Sequence, residues 1–379
     1  MIHSLFDRTE YPVLDNNVYL NQASLGLIGQ PAVKAMHEFL DDVGRHGNLR
    51  MSDKDEISFF NNLRSLGAKL MHCSPSQLAI IGGASEMLGQ LPYMIRPERG
   101  SNIVAVSSDF PAVTRPWIGY ADKNSCFLRY AGDQSSQNLT DQIIDRIDNR
   151  TSVVTVSLVQ YSTGSMIDVV RLRQATTHVD AKLIIDVTQA AGTVEVEFDR
   201  WRADAVVTSG YKWLGGHGGI AIAAIAPHFL KNVPPLLGWM GAESPFDFNS
   251  TWIELAGDAR RYTKSTMSYI SMAGLAAALE NLILLEKGAA ERHARSLASE
   301  LIEGVAPAGW KPFRNLSDPS ASPHIISLSH SEIDAEKAID QLRERNIYCG
   351  IRNGRIRVSL ALYNNSSDIQ SLVTALGAT

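Results

Sequence analysis

What the 379-residue chain lacks narrows its role first. It has only three cysteines, Cys73, Cys126 and Cys349, far apart and without the spacing of a disulfide framework or a metal site. A reducing cytoplasm is therefore the expected home, and no bound metal is expected. No apolar run approaches the ~20 residues a membrane-spanning helix needs; Gly218 to Pro227 is among the longest. The opening residues, MIHSLFDRTEYP, carry no basic flank followed by an apolar core, so no secretory signal is expected. Charge of one sign is not in excess: 35 Lys and Arg stand against 40 Asp and Glu. That argues against nucleic acid or an anionic membrane as partner. The spacings of a dinucleotide fingerprint (G-x-G-x-x-G) and of a phosphate loop (G-K-[ST]) are both missing. So are repeats and low-complexity tracts.

What is present reads as a two-domain globular chain, 45% hydrophobic and 20% charged. Asn102–Ser107, Val153–Val159, Leu183–Val187, Ala205–Thr208 and Gly219–Ile225 are short and almost continuously apolar. Such runs predict strands buried on both faces of a parallel sheet. Helical patterns between them, among them Leu139–Arg146 and Val169–Thr177, predict an α/β sheet covered on both faces. After about Trp252 the pattern changes. Ser271–Leu301 reads as one or more long helices. A strand (His324–His330), a helix (Ile333–Arg345), two strands (Ile347–Ile351 and Arg355–Leu360) and a last helix (Asp368–Leu376) follow. Asn353-Gly354 between the two strands predicts a tight hairpin. The expected organisation is an N-terminal arm (1–18), a large α/β domain (19–255) and a smaller α+β domain (256–379).

In open α/β sheets, ligands sit beyond the carboxyl ends of the strands. The residues at those ends are Asp109-Phe110, Tyr161, Asp186 with Gln189, and Ser209-Tyr211-Lys212. An acid, an amine, hydroxyls and aromatics thus share one rim. Lys212 lies in a Gly-rich turn among aromatics, where a lysine holds its proton less firmly and attacks an aldehyde more readily. Asp186 could keep a pyridinium nitrogen protonated, or simply cap a helix. Gly82 to Glu86 opens a helical pattern, where backbone N–H groups and the Ser85 hydroxyl could cradle a phosphate; an ordinary Ser cap is the plainer reading. Phe110 could lie over a flat ring or belong to the core. Arg357, alternating along a predicted strand, could clamp a carboxylate or sit on an edge strand's surface.

Asp186-x-x-Gln189 followed by Ser209-Gly210-Tyr211-Lys212-Trp213 resembles the core signature of the class V aminotransferase group of fold-type I pyridoxal-phosphate enzymes. That group includes cysteine desulfurases, kynureninases and isopenicillin-N epimerase-like proteins. Gly83-Ala84-Ser85-Glu86, Asp109-Phe110-Pro111, Val159 to Gly164, Ala259 to Tyr262 and Arg357-Val358-Ser359 add to the likeness, which runs from Tyr19 to the final helix. The resemblance implies a mostly parallel seven-stranded-type sheet between helices, and pyridoxal 5′-phosphate as cofactor. Lys212 would hold it as a Schiff base and move protons. Asp186 would pair with the ring nitrogen and Gln189 with the ring hydroxyl. Ser85, Ser209 and Tyr211 would bind the phosphate, and Phe110 would stack on the ring. Ala84 and Tyr161 complete the expected contacts. Thr266 would reach the phosphate of a neighbouring subunit, making a homodimer. Arg357 would bind the substrate α-carboxylate.

Two departures matter. The desulfurase loop with its nucleophilic cysteine has no room here, since only Gly350–Gly354 precede the matching strand, and Cys349 falls within a predicted strand. Ser265 replaces the usual glycine before the phosphate threonine. The group runs several reactions, so family membership does not name this one. Cleavage of a side-chain bond, C–S or similar, on a small amino acid is the expectation; transamination and epimerisation are the alternatives. A non-catalytic relative that uses the fold as a binding or scaffold module is the remote alternative; loss of Lys212 or Asp186 would favour it, and both are present. Trp239 and Arg260, along with Trp252, precede the second domain and are candidates for substrate selection; packing would explain them equally well.

Overall fold

The nearly continuous apolar runs form strands because every side chain on them meets a helix, on one face or the other. The computed structural model describes residues 1–378. Its strands are β1 (Val18–Leu20), β2 (Leu78–Ile81), β3 (Asn102–Val106), β4 (Phe127–Ala131), β5 (Thr151–Ser157), β6 (Lys182–Asp186), β7 (Ala205–Ser209), β8 (Ala221–Ile225), β9 (Lys311–Pro312), β10 (Ile325–Ser329), β11 (Ile347–Arg352) and β12 (Arg355–Ser359). The helices are α1 (Gln30–His46), α2 (Asp53–Met71), α3 (Ala84–Ile95), α4 (Pro111–Asn124), α5 (Leu139–Ile144), α6 (Val169–His178), α7 (Phe198–Trp201), α8 (Tyr269–Leu282), α9 (Ala289–Val305), α10 (Ala335–Glu344) and α11 (Ser366–Gly377).

The large sheet has seven strands in the order β2-β8-β7-β6-β5-β3-β4. The strands from β4 to β7 pair in parallel, and β8 runs antiparallel to both its neighbours. β8, expected among the parallel set, returns beside β7 straight after the Lys212 turn, with no crossover helix to reverse it. Period-two alternation persists beneath the apolar uniformity. Ile103, Val153, Ile184 and Val207 join one core with Met87, Leu88 and Leu91 of α3 and Trp117 of α4. Val104, Val154, Ile185 and Val206 join the other, with α2, α5, α6 and α8.

The second sheet, β1-β11-β12-β10-β9, packs Ile326, Leu328, Ile356 and Val358 against Leu297, Leu301, Leu342 and Leu372 of α9, α10 and α11. Asn353 and Gly354 both take positive φ, 51° and 68°, closing the β11–β12 hairpin as their spacing predicts. The change in composition after residue 255 precedes the change in packing. Met272, Leu275 and Leu279 of α8 lie in the core of the large sheet, whereas Leu20 of β1 lies in the core of the small one. The N-terminal arm is fastened to the small unit: Arg8 pairs with buried Asp368 (2.8 Å), and Leu5 N–H donates to the Leu362 carbonyl (2.8 Å).

The two sheets meet closely at one turn. Gly164 has φ +73°, and a Cβ there would stand 2.0 Å from the Ile325 carbonyl oxygen. Beside it, Arg314 and Asp133 form an ion pair (3.0 Å) that is almost wholly buried. Gly164→Ala meets both a strained φ and a backbone clash. It is expected to lower unfolding stability by more than ~1 kcal/mol, read by denaturant titration.

Candidate active site

The strand ends place their polar residues around one cleft of about 220 Å³. Of the ten expected cofactor contacts, nine line it: Ala84 and Ser85 at the start of α3, Phe110 after β3, Tyr161 after β5, Asp186 and Gln189 at the end of β6, and Ser209, Tyr211 and Lys212 after β7. Thr266 does not. It is exposed, two residues beyond Lys264, which pairs with Glu86 of α3 (2.7 Å).

Lys212 is buried, with its Nζ 5.3 Å from the Phe110 ring centroid and 5.6 Å from that of Tyr211. Burial pushes its pKa down to about 8, Asp186 opposes that fall, and the guanidinium groups of Arg357 and Arg352 add to it. The turn is held from outside. Gln22 Nε2 donates to the Lys212 carbonyl (2.8 Å) and Gly26 N–H to the Tyr211 carbonyl (3.1 Å). A Cβ on Gly26 would lie 2.2 Å from the Lys212 carbonyl oxygen, so only glycine allows this approach.

Asp186 is buried, and burial raises its pKa against the stabilising hydrogen bonds from Thr188 and the charge of Lys212. Thr188 was not anticipated, although it lies inside the Asp-x-x-Gln motif. Its N–H donates to Asp186 Oδ1 (2.7 Å), while its Oγ1 accepts the Ser209 N–H (3.1 Å), joining the ends of β6 and β7. Gln189 is fixed from two sides: its Oε1 accepts Trp213 Nε1–H (2.8 Å), and its Nε2 donates to the Ala23 carbonyl (3.0 Å). One amide hydrogen is left for the cleft. His324 supports this pair. Burial pushes its pKa down to about 4, so it is neutral and its Nε2–H donates to the Gln189 carbonyl (2.6 Å).

Arg357 lies at the junction with the small sheet, 1% exposed. Its Nη1 donates to the Tyr161 carbonyl (2.8 Å), its Nη2 to Ser24 Oγ (2.6 Å), and its buried Nε has no partner among the described residues. Arg352 Nη2 reaches the same hydroxyl (3.3 Å), so two guanidinium groups meet on one oxygen, and neither has an acidic partner among the described residues. Burial and Arg352 push the Arg357 pKa down to about 10. Ser24 and Arg352 were missed because a lone serine and a hairpin arginine carry no signal by themselves.

The other three candidates for substrate selection lie elsewhere. Arg260 is already paired with Asp258 (2.9 Å) and Glu243 (3.1 Å). Trp239 borders a separate hollow with Phe248 and Trp252 and stacks edge-on against Phe246 at 5.7 Å. Cys349 is buried in the small core, its thiol pushed up to about 12, away from the cleft.

The aminotransferase class-V family model matches residues 18–372, and the chain belongs to that family. It is a pyridoxal-phosphate-dependent enzyme. The chain is 22% identical over 372 residues to the uncharacterised aminotransferase YcbU of Bacillus subtilis, covering 98% of this chain and 96% of that one. It is 23% identical to the kynureninase of Bacillus anthracis, with 97% and 90% covered. The cystine C–S lyase C-DES, solved with its product cysteine persulfide, superposes with a TM-score of 0.87 at 17% identity, over 97% of this chain and 99% of that one.

The residues present fit the cofactor. α3 begins at Ala84 after Gly83, which provides no side-chain cap, so its first N–H groups are free for an anion. The Ser85, Ser209 and Tyr211 hydroxyls line the same cleft and make no hydrogen bond to described residues. No helix among the described residues is long and apolar enough to cross a membrane.

The lowered lysine pKa has a kinetic signature. Cofactor uptake by the apoenzyme should speed up about tenfold per pH unit below pH 8 and level off above it. An ordinary lysine would keep accelerating toward pH 10. Stopped-flow absorbance against pH reads the difference, with Lys212→Met as the inert control.

Proposed function

We propose that the enzyme cleaves a side-chain bond of a small α-amino acid, a C–S bond or one like it, and releases ammonia. The observation that carries this reading is a buried, acid-free Arg357 in electrostatic reach of a buried Lys212 whose amine titrates near pH 8. The arginine suits an α-carboxylate, and the lysine can hold or give up a proton at neutral pH.

Bound pyridoxal phosphate supplies an electron-withdrawing ring that acidifies the substrate α-carbon. The chain does the rest. Lys212 attaches the cofactor and moves the α-proton. Asp186 pairs with the ring nitrogen, and Gln189 contacts the ring hydroxyl. Ser85, Ser209 and Tyr211, with the Ala84 N–H, hold the phosphate. Phe110 covers one face, with Tyr161 edge-on against it at 5.4 Å. Arg357 holds the substrate carboxylate.

A desulfurase-type reaction, in which a protein thiol captures sulfur, has no thiol to use: Cys349 faces the small core and stays protonated. The departing group must leave as a free product. The end-to-end likeness to a C–S lyase backbone makes this the first reaction to test.

We further propose a homodimer in the cytoplasm. Phe248 (70% exposed) and Trp252 (57%) line one hollow with Trp239, and Val233 (65%) is exposed on the same stretch between β8 and α8; exposed apolar side chains of this kind suit a protein partner. Thr266, exposed on that stretch, would then reach the partner's phosphate. The three cysteines are unpaired, as a reducing compartment requires.

With cysteine and its S-conjugates and no keto-acid acceptor, the holoenzyme should release ammonia and keto acid over many turnovers. A single stoichiometric conversion, restarted only by added keto acid, would establish transamination instead. Arg357→Gln should raise KM at least thirtyfold, about 2 kcal/mol or more, with a smaller change in kcat. Sedimentation should give twice the chain mass, and Phe248→Asp with Trp252→Asp should shift it toward monomer.

A further inference from the structure

One carboxylate at the cleft is not used by the reaction above. Asp109 lies between β3 and α4, 6% exposed, with no cation paired to it among the described residues. Its Oδ1 accepts the Phe110 N–H (2.7 Å) and the Ser157 hydroxyl (2.6 Å). Its Oδ2 accepts the Ser157 N–H (2.7 Å) and Gln160 Nε2–H (3.1 Å). All four donors are neutral. Burial pushes the acid up to about 6 even against these donors, each of which favours its charged form.

A carboxylate buried without a counter-ion is costly, and a simple turn does not need one. Asparagine is a poor replacement, because whichever way its amide turned, its NH2 would face a backbone N–H, that of Ser157 or that of Phe110, donor against donor. What the four bonds join explains the expense. Phe110 forms one wall of the cleft, and Gln160 precedes Tyr161, which forms the next. The two rings touch edge-on at 5.4 Å, and the Lys212 amine lies 5.3 Å from the Phe110 centroid. Ser157 ends β5 directly beside Asp186 in the sheet register. One carboxylate therefore ties the Phe110 backbone and the side chain of Gln160, the residue before Tyr161, to the strand next to Asp186.

We propose that Asp109 is a positioning residue for the cofactor, setting Phe110 and Tyr161 as a single wall against the ring. This rests on Phe110 covering the ring. Asp109 touches no reacting atom and acts only through its neighbours.

The test is a double-mutant cycle on the full-length enzyme. Asp109→Asn, Phe110→Leu and the pair are compared by the dissociation constant for pyridoxal phosphate and the visible circular dichroism of the bound cofactor. The melting temperature of each apoenzyme is followed in parallel. Asp109→Asn is expected to weaken cofactor binding about tenfold and to shrink the dichroic band. Asp109→Glu should recover part of both. In the Phe110→Leu background, Asp109→Asn should add less than twofold, because the wall it serves is already gone. Full multiplication of the two effects would overturn the positioning role and leave the stacking role of Phe110 standing. So would an Asp109→Asn variant that melts lower yet binds cofactor unchanged. If Phe110→Leu changes neither affinity nor dichroism, the stacking reading falls and takes this one with it. Should Asp109→Asn fail to fold, Ser157→Ala removes one donor and keeps the carboxylate; its dichroism should fall in the same sense, and an unchanged band would count against the proposal.

Discussion

The Lys212 amine gives up water when it enters the cleft, and Asp186, itself buried, is the acid that faces it. Two more cations, Arg352 and Arg357, push on the same amine. Burial and repulsion favour the neutral form, which is the nucleophilic one. Such an amine is useful only if it is held still, since a free side chain would turn toward solvent and regain its charge. The turn that carries it is therefore gripped from three directions. Gly26 and Gln22 hold its carbonyl groups, Thr188 joins the end of β7, where the turn starts, to the end of β6, and Trp213 locks onto Gln189. The neutral imidazole of His324 closes that chain from the small sheet. A protonated imidazole could still donate to the Gln189 carbonyl but would add an unpaired charge to a dry interior, and burial prevents it.

The position of Arg357 creates a second constraint. It belongs to a strand of the small sheet, yet its guanidinium is bonded to the Tyr161 carbonyl, beyond the end of a strand of the large one. Loose domains cannot do this. The close approach at Gly164, the buried Arg314–Asp133 pair and the Arg357 bond to the Tyr161 carbonyl all lie along the junction between the two sheets. Removing one member of the buried ion pair would leave an uncompensated charge. The junction thus tolerates little sliding, and the Arg357 guanidinium is held in one place.

The sequence was informative where chemistry and backbone shared a short motif. The Lys212 turn, the Asp186–Gln189 segment, the start of α3 and the Asn353-Gly354 hairpin were all legible, because each is local and residue-specific. β2 and β4 were not. β2 is four residues long beside two glycines, and β4 is an edge strand that exposes Phe127 and Tyr130. The direction of β8 was hidden because burial on both faces looks the same in either orientation. Helix α8 reads like the helices after it, yet it packs on the large sheet; amphipathic pattern says that a face is buried but not against what. Contacts such as Ser24 with Arg357, or Asp109 with Ser157, join residues dozens to hundreds of positions apart, so no window of sequence contains them.

The thiols add one more step to the chemistry. A family that handles sulfur could keep it on the protein or let it go, and that choice depends on a cysteine within reach of the cleft. Here the hairpin after Cys349 is two residues long, too short to carry a mobile nucleophile, and Cys349 itself packs among Leu20, Ile347 and Val358. Cys126 is buried, and its Sγ donates to the Glu98 carbonyl (3.3 Å). Burial pushes Cys73 up to about 12, so it too remains a thiol rather than a thiolate. If the leaving group is sulfur, it must then depart with the C–S electron pair, take up a proton and diffuse away as a free thiol or persulfide. A short, rigid hairpin suits that outcome: in place of a delivery arm, the adjoining strand carries Arg357, held in place by Tyr161 and Ser24.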